Sequence, residues 1–275
     1  MLFDSHAHIN DAKTQEERNA LTEEISQSGI ISFVADIGYD LPSSEQAALN
    51  SKEYDWIVAA VGVHPHDSGT MDEAIFDKIK KLAESPDTHA IGEIGLDYHY
   101  MHSEKEDQRY WFRRQIRLAN ELNMPIVVHS READKETMDI LLEEGAFAAE
   151  RSCGFDKRVL SDGSKVPDPH VVIHCFSGSA ELALEYIKLG ATIGICGPLT
   201  YKNNKKTVRV AEVVPIEYMM VETDSPYLAP EPMRGRRNKP VFVEYTARRL
   251  AEIKGMSFDE VSEITEKNAR GFYRV

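Results

Sequence analysis

Cysteine is scarce in this 275-residue chain: there are three, Cys153, Cys175 and Cys196, and no two of them form a CxxC pair. A disulfide framework is therefore not expected, and Cys175 and Cys196, in strand-like segments, read as buried thiols in a reducing, cytoplasmic setting. Long apolar runs are missing as well. None approaches the roughly 20 residues of a membrane helix, and polar residues begin at Asp4, so no signal peptide is expected. Positive charge is in deficit: 32 lysines and arginines face 46 aspartates and glutamates, giving a formal charge of −14. A chain this acidic does not coat nucleic acid electrostatically. If it handles a phosphate polymer, it does so through a local basic patch or bound cations. Linkers and low-complexity tracts are absent. No glycine-rich phosphate fingerprint follows the first apolar run, which counts against an open doubly wound sheet.

What is present is alternation. Short apolar runs recur: "MLFDSHAHI", "IISFVADIG", "WIVAAVGVH", "HAIGEIGLD", "PIVVHS", "HVVIHCF", "ATIGICG" and "YMMVETD". Helical patterns lie between them. Ser103 with Glu106, and Ser257 with Glu260, have capping-box spacing. Gly145 and Gly190 stand where helices end, and Pro240 can open a helix running towards Gly255. Eight strand-like runs alternating with helices predict one (β/α)8 barrel over residues 1–275, with a C-terminal helix.

Catalytic groups of such barrels gather at the C-terminal strand ends. Those ends carry His6 and His8 in "DSHAH", His64 and His66 in "GVHPH", Glu93 and Asp97 in "IGEIGLD", His129 and Arg131 in "VVHSR", His174 in "IHCFSG", and Glu222 and Asp224 in "ETDSP". On a regular strand Leu2, Asp4, His6 and His8 share one face. Histidines scattered for packing have no reason to collect at strand ends. Imidazole together with carboxylate is a donor set for divalent ions.

These motifs, with "ETDSPYLAP" and "RGRRNKP", span nearly the whole chain and arrive in order. The sequence resembles the TatD family of metal-dependent deoxyribonucleases, within the amidohydrolase-like metal barrels. The resemblance implies two divalent ions (Zn, Mn or Mg). His6, His8, Glu93 and Asp224 would hold one, and Glu93, His129 and His174 the other. Glu93 would take the bridging place that a carbamylated lysine fills in related barrels. Two such cations polarise a phosphoryl group and acidify water. Asp224 would be the general base, with Glu93 the second catalytic carboxylate. Asp4 and Glu222 are candidates to accept imidazole N–H groups. The expected activity is hydrolysis of DNA phosphodiesters, as an exonuclease on single-stranded or frayed ends. The metal set alone suits amide, lactone or carboxylic ester hydrolysis equally well. A non-catalytic binding protein is disfavoured by the full ligand set.

Candidate substrate contacts are His64, which the resemblance implies is a histidine outside the metal ligands, and Arg131, which follows His129; Lys202 in "TYKNNKK" and Arg234, Arg236 and Arg237 in "RGRRNKP" join them, since barrel phosphate sites often follow strands seven and eight. Tyr98, Tyr201 and Tyr227 lie near the same rim, within reach of bases. His66 reads as a solvated loop residue, and His99 and His102 are left outside the site. Residues 146–169 are long for a barrel connection. They form an insertion between the fifth helix and sixth strand, with a hairpin about Asp162-Gly163, expected on the face opposite the metal site.

Overall fold

Each apolar run forms a strand, and all barrel pairings are parallel in a computed structural model that describes all 275 residues. The strands are β1 (Leu2–Ala7), β2 (Ile31–Ile37), β3 (Ile57–Val61), β4 (Thr88–Asp97), β5 (Ile126–Arg131), the two short strands β6 (Arg158–Val159) and β7 (Lys165–Val166), then β8 (Val171–Ile173), β9 (Thr192–Ile195) and β10 (Met219–Val221). The eight-stranded sheet runs β1-β2-β3-β4-β5-β8-β9-β10, and β6-β7 stands apart as an antiparallel pair. Around it lie α1 (Gln15–Gln27), α2 (Leu41–Glu53), α3 (Glu73–Ala83), α4 (Lys105–Leu122), α5 (Asp134–Glu143), the one-turn α6 (Ala149–Ser152), α7 (Ala180–Lys188), α8 (Lys205–Val213), α9 (Val243–Lys254) and α10 (Phe258–Tyr273).

Closure between β1 and β10 is made largely by groups beyond the ladder. Thr223 donates its N–H and hydroxyl to the two oxygens of buried Asp4, at 2.8 and 2.6 Å. Asp224 N–H donates to His6 O at 2.9 Å, and His8 N–H to Ser225 O at 2.8 Å. Asp4 is thus a clasp between strands, not an acceptor for an imidazole.

Two apolar layers flank the barrel wall. The inner one draws on strands all round the barrel, including Phe3, Ile37, Val58, Val127, Val172 and Met220, and is plugged by Phe272 and Tyr273 of α10. Tyr273 donates its hydroxyl to Ser5 O at 2.8 Å, so this buried phenol meets the demand of a buried polar group. The outer layer lies between strands and helices and includes Leu2. β1 does not keep one parity. Phe3 faces inward, whereas Ala7 packs with Ile9, Ile25 and Val34. The register shift between Asp4 and Ala7 absorbs the change. Such an irregularity re-aims side chains, and here it sends His6 inward although Leu2 packs outward.

Helix ends follow local chemistry. The Ser257–Glu260 capping box forms, and Gly255 closes α9 at φ 65°. The Ser103–Glu106 box does not form. Ser103 donates to His66 O at 2.7 Å and accepts from Gly69 N–H at 2.9 Å, so a loop-to-loop tie displaces the cap. The hairpin about Asp162-Gly163 is present, with Arg158 opposite Val166. Residues of this segment bond to the strand-start end of the barrel. Arg151 donates to Pro169 O and Met124 O, and Arg158 to Thr192 Oγ1.

Candidate metal centre and hydrolytic cleft

Glu93, buried on β4, is the hub of the site. One carboxylate oxygen, Oε2, lies 3.4 Å from His6 Nε2 and 3.9 Å from His8 Nε2. Asp224 Oδ1 lies 3.8 and 3.4 Å from the same two nitrogens. Donors about 2.1 Å from a tetrahedral ion stand about 3.4 Å from each other, so these spacings fit a shared cation. The other oxygen, Oε1, lies 2.8 Å from His129 Nδ1, 2.9 Å from His174 Nε2 and 3.5 Å from His64 Nε2. Two donor groups, His6–His8–Glu93 and His64–Glu93–His129, therefore share Glu93.

The protonation balance gives a second test of fit. Burial alone would raise the Glu93 carboxyl, but His174, His64, His6 and His129 hold it well below the usual carboxylate range. Burial would likewise raise Asp224, and His8 holds it down. Conversely, burial disfavours charge on His8, His129 and His174, yet Asp224 raises the first, Asp97 and Glu93 the second, and Glu93 and Glu222 raise His174 well above its ordinary value. The carboxylates thus call for positive charge at these nitrogens, and a divalent ion supplies it in place of protons. His6 points the same way: both its ring nitrogens are buried without a hydrogen-bond partner. The residues fit a divalent metal centre.

Neighbouring groups fix the donors. His8 Nδ1 donates to Ile37 O at 2.7 Å, leaving Nε2 to face the centre. Glu222 Oε1 lies 3.4 Å from His174 Nδ1, near enough to act on its charge, although that nitrogen has no hydrogen-bond partner. Gly194 makes room for that carboxylate, since a Cβ there would lie 2.6 Å from Glu222 Oε2. Gly95, at φ +149°, lets β4 approach β5 where a Cβ would stand 1.9 Å from His129 O. Asp224 holds φ +55°, an uncommon conformation for a non-glycine residue.

The cleft above the centre has a volume of 640 Å³ and is lined by His8, His64, Glu93, His129, His174 and Asp224, with Tyr39, Tyr100, Tyr227, His102 and Arg131 around them. Arg131 makes neither an ion pair nor a side-chain hydrogen bond; its guanidinium carbon stands 4.5 Å from the Tyr100 ring centre. Other expected contacts lie farther out. Lys202 lines a separate surface crevice with Tyr201 and Arg209. Arg234 covers the Tyr201 ring at 4.7 Å. Arg236 is exposed, and Arg237 is paired with Asp11 and Glu17.

Several readings change. His66 is no solvated loop residue: its Nε2 lies 2.9 Å from Asp97 Oδ2. Asp97 also reaches His129 Nε2 at 3.2 Å, so it orients the imidazole whose other nitrogen meets Glu93. Its place at the end of "IGEIGLD" was the available signal. His102 lines the cleft, and Tyr100 occupies the rim in place of Tyr98, whose hydroxyl donates to Glu136 at 2.7 Å. Tyr201 is tied to Ala229 O, whereas Tyr227 is exposed.

The family model described as TatD related DNase matches residues 3–274. The chain belongs to that family. It is 39% identical over 275 residues to the uncharacterized metal-dependent hydrolase YabD of Bacillus subtilis (strain 168), with all of both chains covered. It is 28% identical over 280 residues, again with all of both chains covered, to a protein of Pectobacterium parmentieri (strain WPP163) named 3'-5' ssDNA/RNA exonuclease TatD. The crystal structure of YjjV, a TatD homolog from Escherichia coli K12, superposes with a TM-score of 0.85 at 22% identity, covering 100% of this chain and 98% of the other, and so shares the barrel fold. This TatD-family chain is a metal-dependent hydrolase, and no helix is long and apolar enough to cross a membrane.

Proposed function

We propose that this TatD-family protein hydrolyses phosphodiester bonds at single-stranded or frayed DNA ends, using two divalent ions. His6, His8, Glu93 and Asp224 hold one, and Glu93, His129 and His174 hold the other. The observation that carries the choice of substrate is Arg131, a cation without a carboxylate partner in the metal-facing cleft of an acidic protein. An unpaired guanidinium beside a cation-binding centre suits an anionic substrate, and planar guanidinium forks match phosphate. The relative named a 3'-5' ssDNA/RNA exonuclease supports the same reading.

Bound divalent ions would polarise a phosphoryl oxygen and make water easier to ionise. The chain's own groups do the rest. Asp224, held ionised by His8, accepts the proton of the attacking water at Oδ. Arg131 and His64 hold the reacting phosphate, and Tyr100 and Tyr227 flank the opening. Lys202, Arg234 and Arg236 meet phosphates farther along the strand, where only backbone position is read. Arg237, neutralised by two acids, contributes least.

The test is metal-stripped protein reloaded with Zn²⁺, Mn²⁺ or Mg²⁺ and given 5′- and 3′-labelled oligonucleotides beside model amides, lactones and esters. Stepwise shortening of oligonucleotides is expected. Rapid ester or lactone hydrolysis with intact oligonucleotides would overturn the reading.

A further inference from the structure

Two of the three cysteines meet behind the metal centre. Cys175 Sγ and Cys196 Sγ, with a Glu222 oxygen, all lie within 4.8 Å of one another. They stand just beyond the ends of β8 and β9, adjacent parallel strands whose main chains stay bonded there through Phe176 N–H to Gly194 O at 3.1 Å. Neighbouring strands run about 4.8 Å apart, within the Cα spacing that a disulfide bridges. Cys175 is partly exposed and Cys196 is buried, so one thiol meets solvent and the other waits beneath it. The expectation of two buried thiols therefore holds for Cys196 and fails at Cys175.

We propose that Cys175 and Cys196 form a dithiol switch, oxidised by small-molecule disulfides to an intrachain disulfide that reversibly stops hydrolysis. Cys175 sulfur attacks the small disulfide, forming a mixed disulfide and releasing one thiol. Cys196 sulfur then attacks Cys175 sulfur and releases the second thiol. Both protein thiols lose their protons to the departing sulfurs or to water, the protein pair is oxidised, and the small disulfide is reduced.

The bond reaches the catalytic side through short connections. The sulfurs must close to about 2.05 Å. Cys175 N–H donates to Glu222 Oε1 at 2.5 Å, and that oxygen is the one beside His174 Nδ1. Cys175 itself follows His174 and sits at φ +44°, an uncommon conformation for a non-glycine residue. Pulling Cys175 towards β9 shifts the partner of Glu222 and hence the His174 ring. On the far side, Gly197 after Cys196 lies against Leu228 O, and Leu228 lines the cleft.

The test uses metal-loaded Cys153→Ser protein, which removes the exposed third thiol, treated with oxidised glutathione. Free thiols counted after denaturation should fall from two to none, with no glutathione retained and the Cys175 and Cys196 peptides linked. Turnover of a small phosphodiester should fall about 10–100-fold, the usual effect of disturbing a ligand's supporting partner, bound metal should fall, and dithiothreitol followed by its removal and resupply of the metal should restore both. Adding Cys196→Ser should leave one glutathione on Cys175 and no cross-link. A lasting mixed disulfide on Cys175 with Cys196 still free would overturn the proposal. So would a complete cross-link with unchanged metal content and turnover. The inhibitory half rests on the ligand role proposed for His174; thiol count, peptide mass and metal content decide it even if the small phosphodiester is not a substrate.

Discussion

The main-chain N–H of Asp224 donates to the carbonyl of His6 across the seam where the barrel closes, at 2.9 Å. Closing the barrel and assembling the site are therefore one event: the bond across the seam between the first and last strands also sets the proposed base beside the His6 imidazole. Because this bond belongs to the backbone, Asp224→Asn should keep it. The variant should retain its circular dichroism and thermal transition while losing about 10²–10⁴-fold in turnover, the range for a general base. Wild-type turnover in a metal-saturated assay would remove Asp224 from that role.

Glu93 offers different oxygens to the two proposed ligand sets, Oε2 to His6 and His8, Oε1 to His129 and His174. Glu93→Gln keeps the shape and replaces one oxygen with a donor nitrogen. Both ions should then bind more weakly, so elemental analysis after dialysis should show less than one ion per chain against two in the wild type. Two retained ions with full activity would refute bridging.

Arg131 and the outer cations should separate by substrate size. Arg131→Gln should lower kcat/KM on oligonucleotides and on a small phosphodiester alike. Lys202→Gln with Arg234→Gln and Arg236→Gln should raise KM for oligonucleotides only and flatten its salt dependence, since each lost phosphate contact removes about one counterion from the slope. Equal losses on both substrates would assign the outer trio a structural role instead.

The barrel was legible because strand runs and helix stops are local signals, the strand-end rule then gathered the histidines and carboxylates, and the family resemblance picked His6, His8, Glu93, His129, His174 and Asp224 from among them. What escaped depends on geometry that no pattern carries. The shift in β1 register decouples His6 from the face of Leu2. Asp4 looked like an imidazole partner because parity placed it beside His6, yet its acceptors are spent on Thr223. His66 looked solvated because nothing in "GVHPH" says that Asp97, 31 residues away, will turn towards it. Rim charges were countable in sequence, but only the fold tells the unpaired Arg131 from the neutralised Arg237.

His170 supplies a pH test away from the metal centre. It is buried at the barrel's far end, stacked 4.1 Å from Phe155 and 5.7 Å from Phe272, with Nδ1–H donating to Phe272 O at 3.0 Å. Burial, only partly offset by Asp168, lowers its pKa from the ordinary 6.5 to about 4. The folded state therefore keeps this ring neutral where the unfolded chain protonates it. The unfolded state binds the extra proton between those two values, so stability is full above about pH 6.5 and falls as pH drops towards 4. A tenfold change in proton affinity corresponds to about 1.4 kcal/mol, so the loss over this range is roughly 3 kcal/mol. His170→Asn removes the titration and tolerates the residue's φ of 49°. Its stability at pH 8 should be lower through lost stacking. The measurement that decides is the difference between wild-type and variant unfolding free energies across pH 4–7, from urea titrations. That difference should shrink on acidification as the wild type loses stability that the variant does not. Parallel curves would mean that His170 protonates in the folded state as readily as in the unfolded one.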